Sequence, residues 1–163
     1  MKMFIGGSRS ISELNAPVRL HLDDFMRRGV AVLIGDAPGA DTAVQRYLAD
    51  RQYAKVTVFA MDRCRNNAGG WPTRHIEPRK DVSYYSTKDF VMAQEAQCGV
   101  MLWDGKSNGT RQNVVNLVGS GKRTLVYLAS TKEFLVVASQ RDFQTLLRSI
   151  GRRISEPSVG YGC

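Results

Sequence analysis

Residues 30–50 read VAVLIGDAPGADTAVQRYLAD, and this stretch decides the fold class. Val30–Ile34 is an unbroken apolar run, the composition of a strand buried on both faces. Gly35-Asp36-Ala37-Pro38-Gly39-Ala40-Asp41 interrupts it. From Ala40 to about Arg51, Val44, Tyr47 and Leu48 return at helical spacing. Strand, glycine-rich turn and helix in that order form the unit of a parallel sheet joined by crossover helices.

The same alternation extends in both directions. Met3–Gly6 reads as a first strand and Ala16–Arg28 as a helix. Val18, Leu22, Phe25 and Met26 line one face of that helix, Asn15 stands as its cap, and Pro17 sits in its first turn. Lys55–Phe59 supplies a third strand, Thr87–Gln97 a helix, Gly99–Trp103 a fourth strand, Asn108–Val118 a helix and Thr124–Leu128 a fifth strand. Phe134–Ala138 fits either a short edge strand or a helical turn. Gln140–Ile150 is a closing helix with Phe143, Leu146, Leu147 and Ile150 on one stripe. Residues 61–84, with Gly69, Gly70, Pro72 and Pro78, form the least regular segment, and a loop of that length in one domain points to function. Residues 1–154 are thus expected to form one α/β domain, with 155–163 as a frayed Gly/Ser-rich tail.

The 163 residues are 43% hydrophobic and 23% charged, an ordinary globular balance that argues against disorder. No apolar run reaches membrane-spanning length. The opening Met1-Lys2-Met3-Phe4-Ile5-Gly6 is too short for a secretory signal, so a cytoplasmic location and no membrane partner are expected. Cys64, Cys98 and Cys163 are odd in number and show no CxxC spacing, and His21 and His75 stand far apart. Neither a disulfide framework nor a metal site is expected. The net charge of +8 favours anionic partners. Arg63, Arg65, Arg74, Arg79 and Lys80 concentrate part of it, either as a solvated surface or as a phosphate-facing patch.

Three strand ends share one chemistry. The first runs into Gly6-Gly7-Ser8-Arg9, where glycines let amides approach a phosphate, Ser8 adds a hydroxyl and Arg9 a charge. The second runs into Gly35–Asp41, aiming a helix start at an anion. The fourth ends in Trp103-Asp104-Gly105-Lys106-Ser107-Asn108-Gly109-Thr110, again before a helix. All three open on the carboxyl edge of the sheet, where open α/β sheets bind ligands. The GxGxxG, GxxxxGK[ST] and GxSxG motifs are absent.

Taken together, the GGSR, GDAPGAD and WDGKSNGT turns and the segment Arg65-Asn66-Asn67-Ala68-Gly69-Gly70-Trp71 resemble the SLOG superfamily. That group contains the Lonely Guy phosphoribohydrolases and the DNA-processing A proteins, and the likeness, over residues 3–128, is nearest to its small stand-alone bacterial branch. The resemblance implies a single Rossmann-like three-layer domain with a mostly parallel sheet, strand order 3-2-1-4-5, and a nucleotide lying between the first, second and fourth turns. It implies a homodimer through helices beside the sheet. In the Lonely Guy enzymes an arginine and a glutamate carry the glycosidic cleavage. At the corresponding positions this chain has Lys88 and Asn113. An amide cannot act as a carboxylate base, so that activity does not carry over.

The leading expectation is therefore a nucleotide-binding or sensing module without a cofactor. Its cradle draws on Gly6, Gly7, Ser8, Arg9, Gly35, Asp36, Gly39, Ala40, Asp41, Lys106, Ser107, Gly109 and Thr110, with Asn66 and Trp71 contributed from the irregular loop. Trp71 is the aromatic expected at a lid and Trp103 the one expected in the core, with Tyr84 and Tyr85 weighed beside them as rings able to stack on a base. The second expectation is an enzyme acting at an N-glycosidic bond, with Asp104 as the nominated carboxylate beside Lys88 and Asn113. Asp104 fits turn chemistry equally well, and Asp41 fits a helix-start carboxylate. Asp89 is expected to pair with Lys88 or Arg65. Nucleic acid ranks last as a partner, because aromatic and basic residues do not interleave.

Overall fold

A computed structural model of the chain describes residues 1–155. The expected tail at 155–163 lies outside this range apart from Ser155, the last residue of the final helix. The elements run β1 (Lys2–Gly7), α1 (Ala16–Arg27), β2 (Ala31–Gly35), α2 (Ala40–Asp50), β3 (Val56–Ala60), β4 (Thr73–His75), α3 (Ser86–Glu95), β5 (Cys98–Trp103), α4 (Asn108–Gly119), β6 (Thr124–Leu128), β7 (Glu133–Val137) and α5 (Gln140–Ser155). One seven-stranded sheet holds all the strands in the order β4-β3-β2-β1-β5-β6-β7. Every pairing is parallel except β6 with β7.

Alternation along each strand divides the apolar residues between the two faces of the sheet. Met3, Ile5, Val32, Ile34, Val56, Val58, Val100 and Leu102 meet Val18, Leu22 and Phe25 of α1 and Val44 and Leu48 of α2. Phe4, Leu33, Phe59, Met101, Trp103 and Val126 turn the other way. They pack on Met92 and Ala93 of α3, Val114 and Leu117 of α4 and Phe143 and Leu146 of α5. Two helical layers thus sandwich the sheet in a Rossmann-like three-layer arrangement, and Trp103 is a core residue, 2% exposed.

The inner strands β3-β2-β1-β5-β6 keep the expected 3-2-1-4-5 order, but the sheet is wider by one strand at each edge. β4 lies inside the segment read as irregular; its Thr-Arg-His sequence carries no apolar run, and it is held by pairing along β3. Phe134–Ala138 resolves as the strand β7, which returns antiparallel after a tight turn at Lys132 (φ 57°). Crossovers leave β1 on one side and return through α3 to β5 on the other. The adjacent carboxyl ends of β1 and β5 are therefore the point where the winding reverses and a crevice forms.

Two glycines set the shape of that crevice. A β-carbon on Gly7 would collide with the carbonyl oxygen of Leu102 and the side chain of Ala40. Gly39, at φ +86°, lies directly on the backbone of Arg9. Their missing side chains let the β1 turn, β5 and the start of α2 close on one another.

Candidate functional site

The crevice holds a cavity of about 290 Å³. Phe4, Gly6 and Gly7 form its floor, and four chain segments its walls. Ser8, Arg9 and Ser10 follow β1; Ala37 and Asp41 come from the β2–α2 turn; Tyr85, Ser86, Lys88 and Asp89 from the start of α3; and Asp104, Ser107, Gly109, Thr110 and Asn113 from the β5–α4 turn and α4. Arg65 closes the rim from the β3–β4 loop.

Five polar side chains on these walls are more than nine-tenths buried: Ser8 (1% exposed), Lys88 (3%), Thr110 (3%), Asp41 (6%) and Asn113 (6%). Burying polar groups costs free energy unless they find partners. Their convergence on one small cavity marks a built polar site rather than a packing defect.

The starts of α3 and α4 line the cavity and the start of α2 lies beside it, and none carries a side-chain cap. Gly39, Tyr85 and Ser107 occupy the N-cap positions of α2, α3 and α4 without capping hydrogen bonds. α1, which starts elsewhere, is capped: Asn15 accepts from Val18 N–H. The first amides of a helix lack internal acceptors and carry the positive end of its dipole. Ala40 N–H is taken by the Ser8 carbonyl and Ser86 N–H by the Ser83 carbonyl, which leaves the α4 start as the strongest anion-binding end. The hydroxyls of Ser8, Ser107 and Thr110 lie within hydrogen-bond distance of one another, at 2.6, 3.0 and 3.3 Å. They add rotatable donors to the α4 end.

The glycine turns themselves behave differently from expectation. Ser8 N–H is used on the Leu102 carbonyl, and the Ser8 carbonyl accepts Ala40 N–H. The first two turns thus fasten to each other, and their glycines serve close packing rather than amide donation.

The charged groups sort into three environments. Burial raises the cost of ionising Asp36, but Arg65, which donates through both its backbone and its guanidinium at 2.8 Å, holds the carboxyl below its ordinary range. Burial works upward on Asp104 as well. Amides of Ser107 and Lys106 at 2.8 Å and the Ser10 hydroxyl at 2.7 Å outweigh it and bring that carboxyl to about 2. Asp41 goes the other way. Desolvation dominates and pushes it up to about 7, against the charge of Lys88 and a single amide from Ala37. Lys88 Nζ donates to Asp89 Oδ1 at 2.9 Å, and Asn113 Nδ2 reaches Asp89 Oδ2 at 3.4 Å.

Of the residues expected from sequence, Gly6, Gly7, Ser8, Arg9, Asp41, Lys88, Asp104, Ser107, Gly109, Thr110 and Asn113 line the cavity. Others lie off it. Trp71 is buried against the α1–α2 face, its indole N–H on the Tyr53 carbonyl, so it is a core residue and not a lid. Asn66 ties its loop to α2 through Thr42 Oγ1 at 2.9 Å. Asp36 is consumed by Arg65. Gly35 makes room for the Asp41 carboxylate, and Gly39 and Ala40 are packing positions. Lys106 is exposed, and its backbone serves Asp104. Asp104 lines the cavity, but both its oxygens are engaged in shaping the turn, which disfavours it as the acid or nucleophile. Asp89 pairs with Lys88, as one of its two expected alternatives had it.

Sequence reasoning weighed Tyr85 as an aromatic without assigning it to the site, and passed over Asp89 as a ligand group. Tyr85 is exposed at the rim, with the Arg65 guanidinium 4.2 Å from its ring centre. No glycine turn announces the start of α3; the signal available was the Tyr84-Tyr85 pair ahead of Ser86. Among the described residues, no three His, Cys, Asp or Glu side chains gather as metal ligands, and no helix is long and apolar enough to cross a membrane. Comparison with protein-family models, curated proteins and solved structures finds no match, so the site is read from its own chemistry.

Proposed function

We propose that the protein binds a nucleotide or phosphorylated nucleoside in the crevice at the carboxyl ends of β1 and β5. One observation carries the reading: the uncapped starts of α3 and α4 and five buried polar side chains line a single cavity. Phosphate suits the α4 end, where orphan amides and three hydroxyls meet. The exposed ring of Tyr85 suits a base at the rim. About 290 Å³ lies at the lower end of ligand pockets, roughly 300–1,000 Å³, which favours a mononucleotide over a dinucleotide. The resemblance to the SLOG superfamily agrees with this reading. The test is calorimetric titration with a panel of nucleoside mono-, di- and triphosphates. At least one should bind with Kd of about 1–100 μM; no heat from any of them at millimolar concentration would defeat the proposal.

A second reading, cleavage at the N-glycosidic bond, has one observation in its favour. Asp41 is a cavity-lining carboxyl that changes protonation near neutrality, as a general acid or base must. Chromatography of the panel after incubation decides it. Release of free base that is lost in Asp41→Asn supports turnover, and bound but intact nucleotides leave binding alone.

A further inference from the structure

One part of the cavity wall, where α3 meets the second turn of α4, carries a pattern that phosphate does not explain. Lys88 Nζ, on a residue 3% exposed, meets one acceptor within the described residues, Asp89 Oδ1. An ammonium has three protons to donate, so two remain without a partner. Beside it, Asn113 uses its amide nitrogen on Asp89, while its carbonyl oxygen accepts nothing from the described residues. Asp89 Oδ2 holds only that 3.4 Å contact. Unused donors and unused acceptors thus stand side by side on the cavity wall.

A phosphate can only accept hydrogen bonds here, and the Asp89 carboxylate would repel it. An ammonium can only donate, and Lys88 would repel it. Hydroxyls do both. Two adjacent hydroxyls can each accept from Lys88 while donating to Asp89 and to the Asn113 carbonyl. The spacing agrees. Asn113 follows Thr110 by three residues, about one turn or ~5 Å along α4, the separation between a sugar phosphate and the hydroxyls across its ring.

We propose that Lys88, Asp89 and Asn113 recognise the vicinal diol of a 5′-phosphorylated ribose, so that the site discriminates ribonucleotides from their deoxy counterparts. The assignment rests on the phosphate end proposed above. Asp89 is the specificity-determining residue because it is the charged acceptor of the diol, the Asn113 carbonyl taking the second hydroxyl. Lys88 holds and neutralises it.

The experiment compares each ribonucleotide with its 2′-deoxy and 3′-deoxy forms on the wild-type protein, and ribose 5-phosphate with 2-deoxyribose 5-phosphate, by calorimetry. A hydrogen bond to a charged group predicts a preference for the ribose form of about 10- to 100-fold. In Asp89→Asn the ratio should fall below about 3-fold while the deoxy ligands bind at least as well as before. Equal affinity of ribose and deoxyribose forms for the wild type would overturn the assignment and leave nucleotide binding standing. If nucleotides fail but ribose 5-phosphate binds in preference to its deoxy form, the nucleotide reading falls and the diol assignment survives. The wild-type comparison holds whether or not Asp89→Asn folds.

Discussion

Gly109 offers a substitution whose effects on stability and on binding should have opposite signs. It is the second residue of α4, it lines the cavity, and a β-carbon there meets nothing within 4 Å. Gly109→Asp therefore fits without strain. Its carboxylate would lie at the uncapped, positive end of the helix. That interaction stabilises by about 0.3–1 kcal/mol, and leaving glycine adds a few tenths of a kcal/mol. For a chain of this size each kcal/mol raises Tm by about 2–4 °C. The same carboxylate occupies the position assigned to phosphate. Two unit charges 4 Å apart repel by about 4 kcal/mol at an effective dielectric constant of 20, so affinity for a nucleotide should fall more than ~100-fold. Gly109→Ala is the control: it adds the β-carbon without the charge, and binding should stay within about 3-fold of wild type by the same arithmetic. Scanning calorimetry without ligand and titration with it give the two readouts. A Gly109→Asp protein that melts higher and still binds its nucleotide as tightly as wild type would refute the placement of the anion at α4.

Asp41 predicts a pH dependence. Its folded-state midpoint of about 7 lies above the ordinary 3.8, so the stability tied to its protonated form is complete below about 4 and is lost as pH rises through 7. Asp41→Asn should flatten that fall in denaturant titrations between pH 4 and 8, and nucleotide affinity of the wild type should weaken over pH 6–8 as a negative charge appears in the cavity. Arg65→Met leaves Asp36, 1% exposed, without its partner; urea denaturation should register a loss of about 3 kcal/mol. Asp104→Ala removes the acceptor for two amides and the Ser10 hydroxyl, and the same assay should show a cost of about 1–3 kcal/mol with weakened binding through the disordered turn.

The inner sheet was legible because Val30–Ile34 and Gly99–Trp103 are apolar runs that end at glycine turns, and that signature also located the mouth of the crevice. β4 left no such mark. Thr73, Arg74 and His75 become a strand through pairing along β3, a property of the neighbour and not of the three residues. Trp71 was misplaced for a related reason: glycine and proline around it read as an open loop, whereas the loop folds back and seats the indole beside Tyr53. The Lys88–Asp89–Asn113 group was read only in part, Lys88 and Asn113 through the resemblance and Asp89 as an ion-pair partner, because the three come from two helices. Lys88, Asp89 and Asn113 have no shared spacing, and only the packing of α3 on α4 brings them together.

The uncapped helix starts carry a consequence for the protein's life in a cell. A ligand seated among them would act as a common cap for α3 and α4, and anything bound only by the native state shifts the folding equilibrium in its favour. Turnover of the chain by proteases, which act on opened molecules, would then slow when the ligand is plentiful and quicken when it is scarce, making abundance itself a record of metabolite supply.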